Sequence, residues 1–265
     1  IIDYFFEKIY MPENTMLVIA DGEIVSMVSM LPASLAMPDH TIHPCSYLYA
    51  FSTHPDKRGR GYGTAAMRAI IDYLFSNNVE IITLCPACNA LIKFYNSAFG
   101  FMEAFYINET TIAKGRISKL PKDTVITAVS AENYNKLRNK MLRGKPHIRF
   151  ADHAISFQKT LSQAANADIY ELNIGNIKGC AGAEYIASNE VLVKELLLPD
   201  RYLHIGILLL SSVLPADKYL IRTPPYLRVE NSSRQVVFGM ILCKRPALRD
   251  KMFQKMKGYF GFAYD

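Results

Sequence analysis

No stretch of this chain is apolar for long enough to cross a bilayer. Runs such as Ile205 to Leu210 are far short of the roughly 20 residues a spanning helix needs, so no membrane partner is expected. No basic segment with an apolar core and a cleavage site opens the sequence, which leaves secretion unsupported. The 5 cysteines are an odd count at irregular spacing; they make no disulfide framework and fit free thiols in a reducing, cytoplasmic compartment. Cys85-Pro86-Ala87-Cys88 has the spacing of a redox or zinc pair, but no second pair follows and His40 and His43 lie in a different loop, so no metal is expected. Thirty Lys and Arg against 24 Asp and Glu leave a net charge of only +6, with no cationic run outside Lys57 to Arg60, and nucleic acid is not an expected partner. The rest is ordinary globular composition: 50% of the residues are hydrophobic, and 265 residues suffice for two domains.

The most informative segment is His54-Pro55-Asp56-Lys57-Arg58-Gly59-Arg60-Gly61-Tyr62-Gly63-Thr64. The β-prone Tyr47 to Thr53 precedes it, and Met67, Ile70, Ile71, Leu74 and Phe75 behind it form one helical stripe. A strand, a basic glycine loop and a helix N-terminus make an anion site, because unpaired N–H groups and the helix dipole both face the ligand. A P-loop is excluded by the missing Gly-Lys-Ser/Thr ending. A dinucleotide fingerprint is excluded by the spacing of Gly59, Gly61 and Gly63.

What the loop does match is Arg-x-x-Gly-x-Gly, as Arg58, Gly61 and Gly63. Downstream stand Asn89 and then Leu91-Ile92-Lys93-Phe94-Tyr95-Asn96-Ser97-Ala98-Phe99-Gly100-Phe101. Together they resemble the cofactor site of the GNAT superfamily of acyl-CoA-dependent N-acyltransferases, over roughly residues 1 to 115. The resemblance implies that residues 58 to 64 (Arg58, Gly59, Arg60, Gly61, Tyr62, Gly63, Thr64) take the pyrophosphate of acetyl-CoA. Phe51, Ser52 and Thr53 bond the pantetheine, and Asn89 and Tyr95 sit near the thioester. A complete domain of this family begins with one more strand and helix, and Ile1 is not an initiator methionine; a truncated start is expected.

The coarse reading of the first half is a helix at 1–10, strands at 16–20 and 23–31, a pocket-lining loop at 32–44, a strand at 47–53, the glycine loop and its helix, a strand at 79–84, a short helix, and a hairpin near 103–113. Residues 114–123 read as a linker. The same order then repeats: strand 125–129, helices 132–142 and 154–165, strands 169–174, 177–186 and 191–198, helix 205–213, strand 218–222. Where the second loop is due stands Pro199-Asp200-Arg201-Tyr202-Leu203-His204-Ile205-Gly206, with one glycine and a carboxylate that would repel phosphate. The expected fold is therefore α/β of the α+β, mixed-sheet kind. A GNAT-like N-terminal domain, 1–116, precedes a degenerate GNAT-like domain, 117–265, without a cofactor of its own: a tandem, bacterial type.

The implied reaction moves an acetyl group from acetyl-CoA to an amine of a small molecule or protein by direct attack in a ternary complex. An alkyl amine of pKa near 10.4 is about one part in 2,500 neutral at pH 7, a handicap of about 4.6 kcal/mol, so a base and an oxyanion donor are needed. Tyr95 is the candidate for the leaving thiolate; the other reading places it in the apolar stripe of Leu91, Phe94 and Ala98. The strand 47–53 offers no carboxylate, which leaves His54 and Glu80 as weak candidates for the base. The aromatic tail Gly258 to Asp265 offers another: two-domain acetyltransferases of the enhanced-intracellular-survival type return their chain end to the active site, and here Asp265 would supply the carboxylate. The competing reading is a non-catalytic acyl-CoA-binding or regulatory protein.

Overall fold

The computed structural model describes residues 2–113, 120–229, 233–253 and 257–264. In the first half, helix α1 (Ile2–Lys8) leads to β1 (Thr15–Ala20), β2 (Glu23–Ala36) and β3 (Ile42–Thr53). Helix α2 (Tyr62–Ser76), β4 (Ile81–Leu84), α3 (Asn89–Phe99) and β5 (Met102–Ala113) follow. In the second half come β6 (Thr124–Ala128), α4 (Ala131–Met141), β7 (His147–Arg149) and α5 (Asp152–Ala164). Then β8 (Ile169–Ile174), β9 (Ile177–Ala187) and β10 (Glu190–Leu197) lead to α6 (Leu203–Val213), β11 (Lys218–Thr223), β12 (Arg234–Cys243) and α7 (Pro246–Phe253).

All the strands join one mixed sheet in the order β1-β2-β3-β4-β12-β5-β11-β10-β9-β8-β6, with β7 on a separate stretch of β2. Alternation along the central strands sends neighbouring residues to opposite faces. Tyr47, Ile81 and Ile241 join a core with α1, α4 and α5, whereas Leu48, Ile82 and Met240 join another with α2 and α3. A third core packs Val191 and Val193 of β10 against Ile207 and Leu210 of α6.

Two expectations are corrected. Residues 32–44 are not a loop: β2 and β3 pair from Met27↔Ser52 to Ala36↔Ile42 around a short turn. The two prolines that read as loop punctuation sit where the ladder spares their missing N–H. Pro32 lies between the stretches of β2 that pair β1 and β7, and Pro44 precedes the stretch of β3 that pairs β4. Nor is there a hairpin at 103–113. β5 is a single strand whose two neighbours, β11 and β12, both come from the second half. β12 in turn fills the gap between β4 and β5, so each half lends the other a strand.

In the second half the expected helices and strands fall within about two residues of their places, while β7, β12 and α7 were not among them. At the expected phosphate loop stands a short 3-10 turn, Asp200–Tyr202, running straight into α6. Gly206 is buried within that helix, where a Cβ would lie 2.4 Å from Leu198. It permits close helix–sheet packing and does not open a turn. The proposed linker falls largely on 114–119, outside the described residues.

The tail runs inward. Gly258 bridges to Phe105 and Tyr259 to His147, and Phe260, Phe262, Ala263 and Tyr264 are buried in the core shared by the two halves. The anchor is an ion pair with no exposure. Arg138 of α4 donates from Nε to both oxygens of Glu195 at 3.0 and 3.1 Å, from one terminal nitrogen to the Ile148 carbonyl, and from the other to the Phe260 carbonyl at 3.0 Å. The Tyr134 hydroxyl completes the Glu195 carboxylate at 2.9 Å. Gly261 passes this pair at φ +81°, where a Cβ would lie 2.5 Å from the Arg138 guanidinium. Only glycine fits both the angle and the space.

Candidate active site

β3 and β4 are parallel neighbours only over Cys45–Leu48 and Ile81–Leu84, after which β4 ends and β3 runs on to Thr53. The strands thus part, leaving the far end of β3 without a ladder partner on that side among the described residues. In the same stretch the pairing with β2 slips between Met27↔Ser52 and Ser29↔Tyr49, so two residues of β3 stand opposite Val28. Ala50, inside this bulge, adopts φ +53°. A left-handed alanine is an uncommon, mildly strained backbone, and bulges re-aim the groups beside them. Ser26 steadies the bulged strand by donating its hydroxyl to the Ser52 carbonyl at 2.7 Å.

Beyond β3, His54 accepts the Asp56 N–H and opens a 3-10 turn over Pro55–Lys57. Arg58 Nε reaches back to the Thr53 carbonyl at 3.2 Å. Gly61, at φ +83°, is the residue that precedes α2. Helix geometry leaves the first N–H groups, those of Tyr62, Gly63 and Thr64, without intrahelical acceptors. They open on a cavity of about 690 Å³ whose walls include Phe51, Ser52, Thr53, Arg58, Gly59, Gly61, Tyr62, Gly63 and Thr64. Lys57 also lines it and sits 3.4 Å from Glu23.

A second cavity of about 470 Å³ lies under the parted strands. Tyr47, Tyr49, Cys85, Glu109, Arg222 and Phe238 line it, together with the tail residues Ala263 and Tyr264. Phe51, Leu91 and Tyr95 belong to both cavities and mark where they meet. Tyr95 is 8% exposed, and its hydroxyl makes no hydrogen bond among the described residues. Burial raises its phenol above the ordinary value, with a smaller push from Cys88, so it stands as a neutral donor at physiological pH.

Nearly all the expected cofactor residues therefore converge on one crevice. Arg60 and Asn89 are exposed and line neither cavity. Glu80 lies before β4, at the end opposite the crevice. It is paired with His43 Nδ1 at 2.6 Å and Arg245 at 2.7 Å, and these partners lower its pKa. Asp265 falls outside the described residues, but its neighbour Tyr264 reaches the second cavity, where its carbonyl accepts from the Tyr49 hydroxyl at 3.2 Å and that of Ala263 from Tyr47 at 2.7 Å.

Sequence reasoning missed Glu109 and Arg222, a pair at 3.1 Å across β5 and β11 in the second cavity. The readable signal was an acidic residue in the middle of a strand, between Asn108 and two threonines. Its partner strand is more than a hundred residues away and carries no local cue.

Residues 2–104 match the family model described as an acetyltransferase (GNAT) domain. This part of the chain is similar to a GNAT domain, and the fold of the whole is shared with solved GNAT N-acetyltransferases, tandem proteins included. A conserved protein of unknown function from Enterococcus faecalis V583 superposes with a TM-score of 0.69 at 14% identity, covering 91% of this chain and 64% of that one. A GCN5-related N-acetyltransferase from Anabaena variabilis gives 0.69 at 13% identity, covering 92% of this chain and 66% of its own. A tandem GNAT protein from the clavulanic acid biosynthesis pathway gives 0.51 at 11% identity over 89% and 86%. This chain thus spans less than two thirds of the length of the first of these. No curated protein matches it.

Proposed function

We propose that this protein is an N-acetyltransferase that transfers the acetyl group of acetyl-CoA to an amine by direct attack within a ternary complex. The observation that carries this reading is the crevice itself: a glycine loop with free amides opens into one cavity, an aromatic pocket forms another, and Tyr95 stands where they meet. The loop fits a diphosphate, since Tyr62, Gly63 and Thr64 present N–H groups at a helix N-terminus beside Lys57 and Arg58. The unpaired edge of β3 past Leu48 fits the pantetheine amides. Acetyl-CoA supplies the thioester carbonyl.

The residues divide the work. The bulged backbone around Ala50 and Phe51 offers an N–H to the carbonyl oxygen as charge develops there. The Tyr95 hydroxyl donates to the departing sulfur as the C–S bond breaks and the new C–N bond forms. A phenol is a weaker acid than a thiol by about 2 kcal/mol, so Tyr95 acts chiefly as a hydrogen-bond donor. Asp265, one residue past Tyr264, takes the amine proton.

Calorimetry tests the first claim. Gly61→Val forces a β-branched side chain into φ +83°, and acetyl-CoA affinity is expected to fall at least tenfold; unchanged affinity would remove the loop from the site. Asp265→Asn tests the last. The expected result is a drop in kcat/KM of about 100-fold at pH 7. The loss should shrink as pH approaches the amine's own pKa, where no base is needed, and a parallel pH profile would reject the role.

A non-catalytic acyl-CoA-binding protein is the second reading. It is favoured by Glu109, the carboxylate that lines the second cavity, being tied to Arg222. Heat on acetyl-CoA addition without thiol release across an amine panel would establish it.

A further inference from the structure

A third cavity, of about 560 Å³, shares no residue with the acyl-transfer crevice. One wall is a single face of α4 and the turn after it: Lys136, Asn139, Lys140 and Arg143 recur at i, i+3, i+4 and i+7. His147 and Arg149 of β7 form another, and the turn between β2 and β3 closes the rim. No carboxylate lines it, and none of its Lys and Arg side chains forms an ion pair among the described residues. Elsewhere Lys159, Lys178, Lys194, Lys218 and Arg222 all find acidic partners. Four cations left unmatched around one concavity make a field for an anion.

Two buried acceptors sharpen the picture. Asn135 spends its amide N–H groups on the Phe150 carbonyl and Asp152, so its oxygen accepts from Asn139 Nδ2 at 3.1 Å. That fixes the Asn139 amide and leaves its Oδ1 buried without a donor. His147 is 4% exposed; its Nδ1 lies 2.7 Å from the Lys145 carbonyl and must donate to it, which leaves Nε2 as an unpartnered lone pair. Burial holds this imidazole neutral, its pKa pulled down to about 4. Orphaned acceptors in a cavity ringed by cations call for a ligand with N–H or O–H donors.

We propose that this cavity is a second ligand site, for a small phosphate-bearing molecule rich in hydroxyl or amino donors, such as a sugar phosphate or a nucleotide. The cations take the phosphate, and Asn139 and His147 receive the donors. The cations are gathered around one concavity and do not run along an open stripe, which favours a small molecule over a polymer. The proposal stands apart from the acyl-transfer reading, because neither its residues nor its test involve turnover.

The test is titration of the full chain, saturated with acetyl-CoA, with ribose 5-phosphate and with AMP, using ribose and inorganic phosphate as controls. At least one of the first two is expected to bind tenfold or more tightly than either control, and the tighter of them distinguishes sugar phosphate from nucleotide. Lys140→Glu with Arg143→Glu should weaken it at least tenfold, and Asn139→Leu about fivefold. The first pair is exposed, and circular dichroism checks that each variant is folded. Equal affinity for inorganic phosphate, no binding by either ligand, or binding unaltered in the variants would overturn the site. Tighter binding of an RNA or DNA oligomer than of AMP would replace it with a nucleic-acid surface.

Discussion

Replacing Arg138 with methionine is expected to cost about 3–5 kcal/mol of stability, the range for breaking a fully buried ion pair from one side. Three losses combine. Glu195 is left as a buried carboxylate that keeps the Tyr134 hydroxyl but no cation among the described residues, and the Ile148 and Phe260 carbonyls lose their Arg138 donors. The cost should be visible as a lower midpoint in urea denaturation. Removing both charges, as Arg138→Met with Glu195→Leu, should recover part of it, because an apolar pair leaves no stranded charge. A single-variant cost below about 1 kcal/mol would mean that water reaches the pair and that it does not fasten the tail. Gly261 sets the same point in steric terms, since the chain there passes against both the guanidinium and the carboxylate.

Tyr95→Phe should lower kcat about 100-fold, with the KM for acetyl-CoA moved less than threefold. The ring stays in its apolar setting among Phe94, Phe99 and Phe101, so folding and cofactor binding are spared. What disappears is one hydroxyl that has no hydrogen-bond partner among the described residues. A donor used only as charge develops shows up in kcat alone. An unchanged kcat in well-folded enzyme would assign Tyr95 to packing.

The parts of the site that depend on adjacent residues were legible in the sequence. The loop from His54 to Thr64 carries its own turn chemistry, and the stripe from Met67 to Phe75 dictates the helix that follows. The repeated order of the second half was readable because each element has its own periodicity. Three features were not. The bulge at Ala50 has no glycine to announce it. Pro32 and Pro44 read as breakers because ladder gaps are set by which strands lie alongside, not by the strand itself. The place of β12 depends on a pairing that spans 157 residues, and the hairpin expectation at 103–113 failed for the same reason. Sequence pattern fixes which face of a strand is apolar; it does not name the neighbour.

That long-range pairing bears on how the molecule is born. While the first half leaves the ribosome, Ile81–Leu84 has one bare edge and Met102–Ala113 has two; one of the latter stays bare until synthesis has passed residue 223, and the other two edges until it has passed residue 243. Bare edges are templates for neighbouring nascent chains. Each half completes its pairing with a strand from the other, and β12, made long after its neighbours, is the one that closes the gap between β4 and β5.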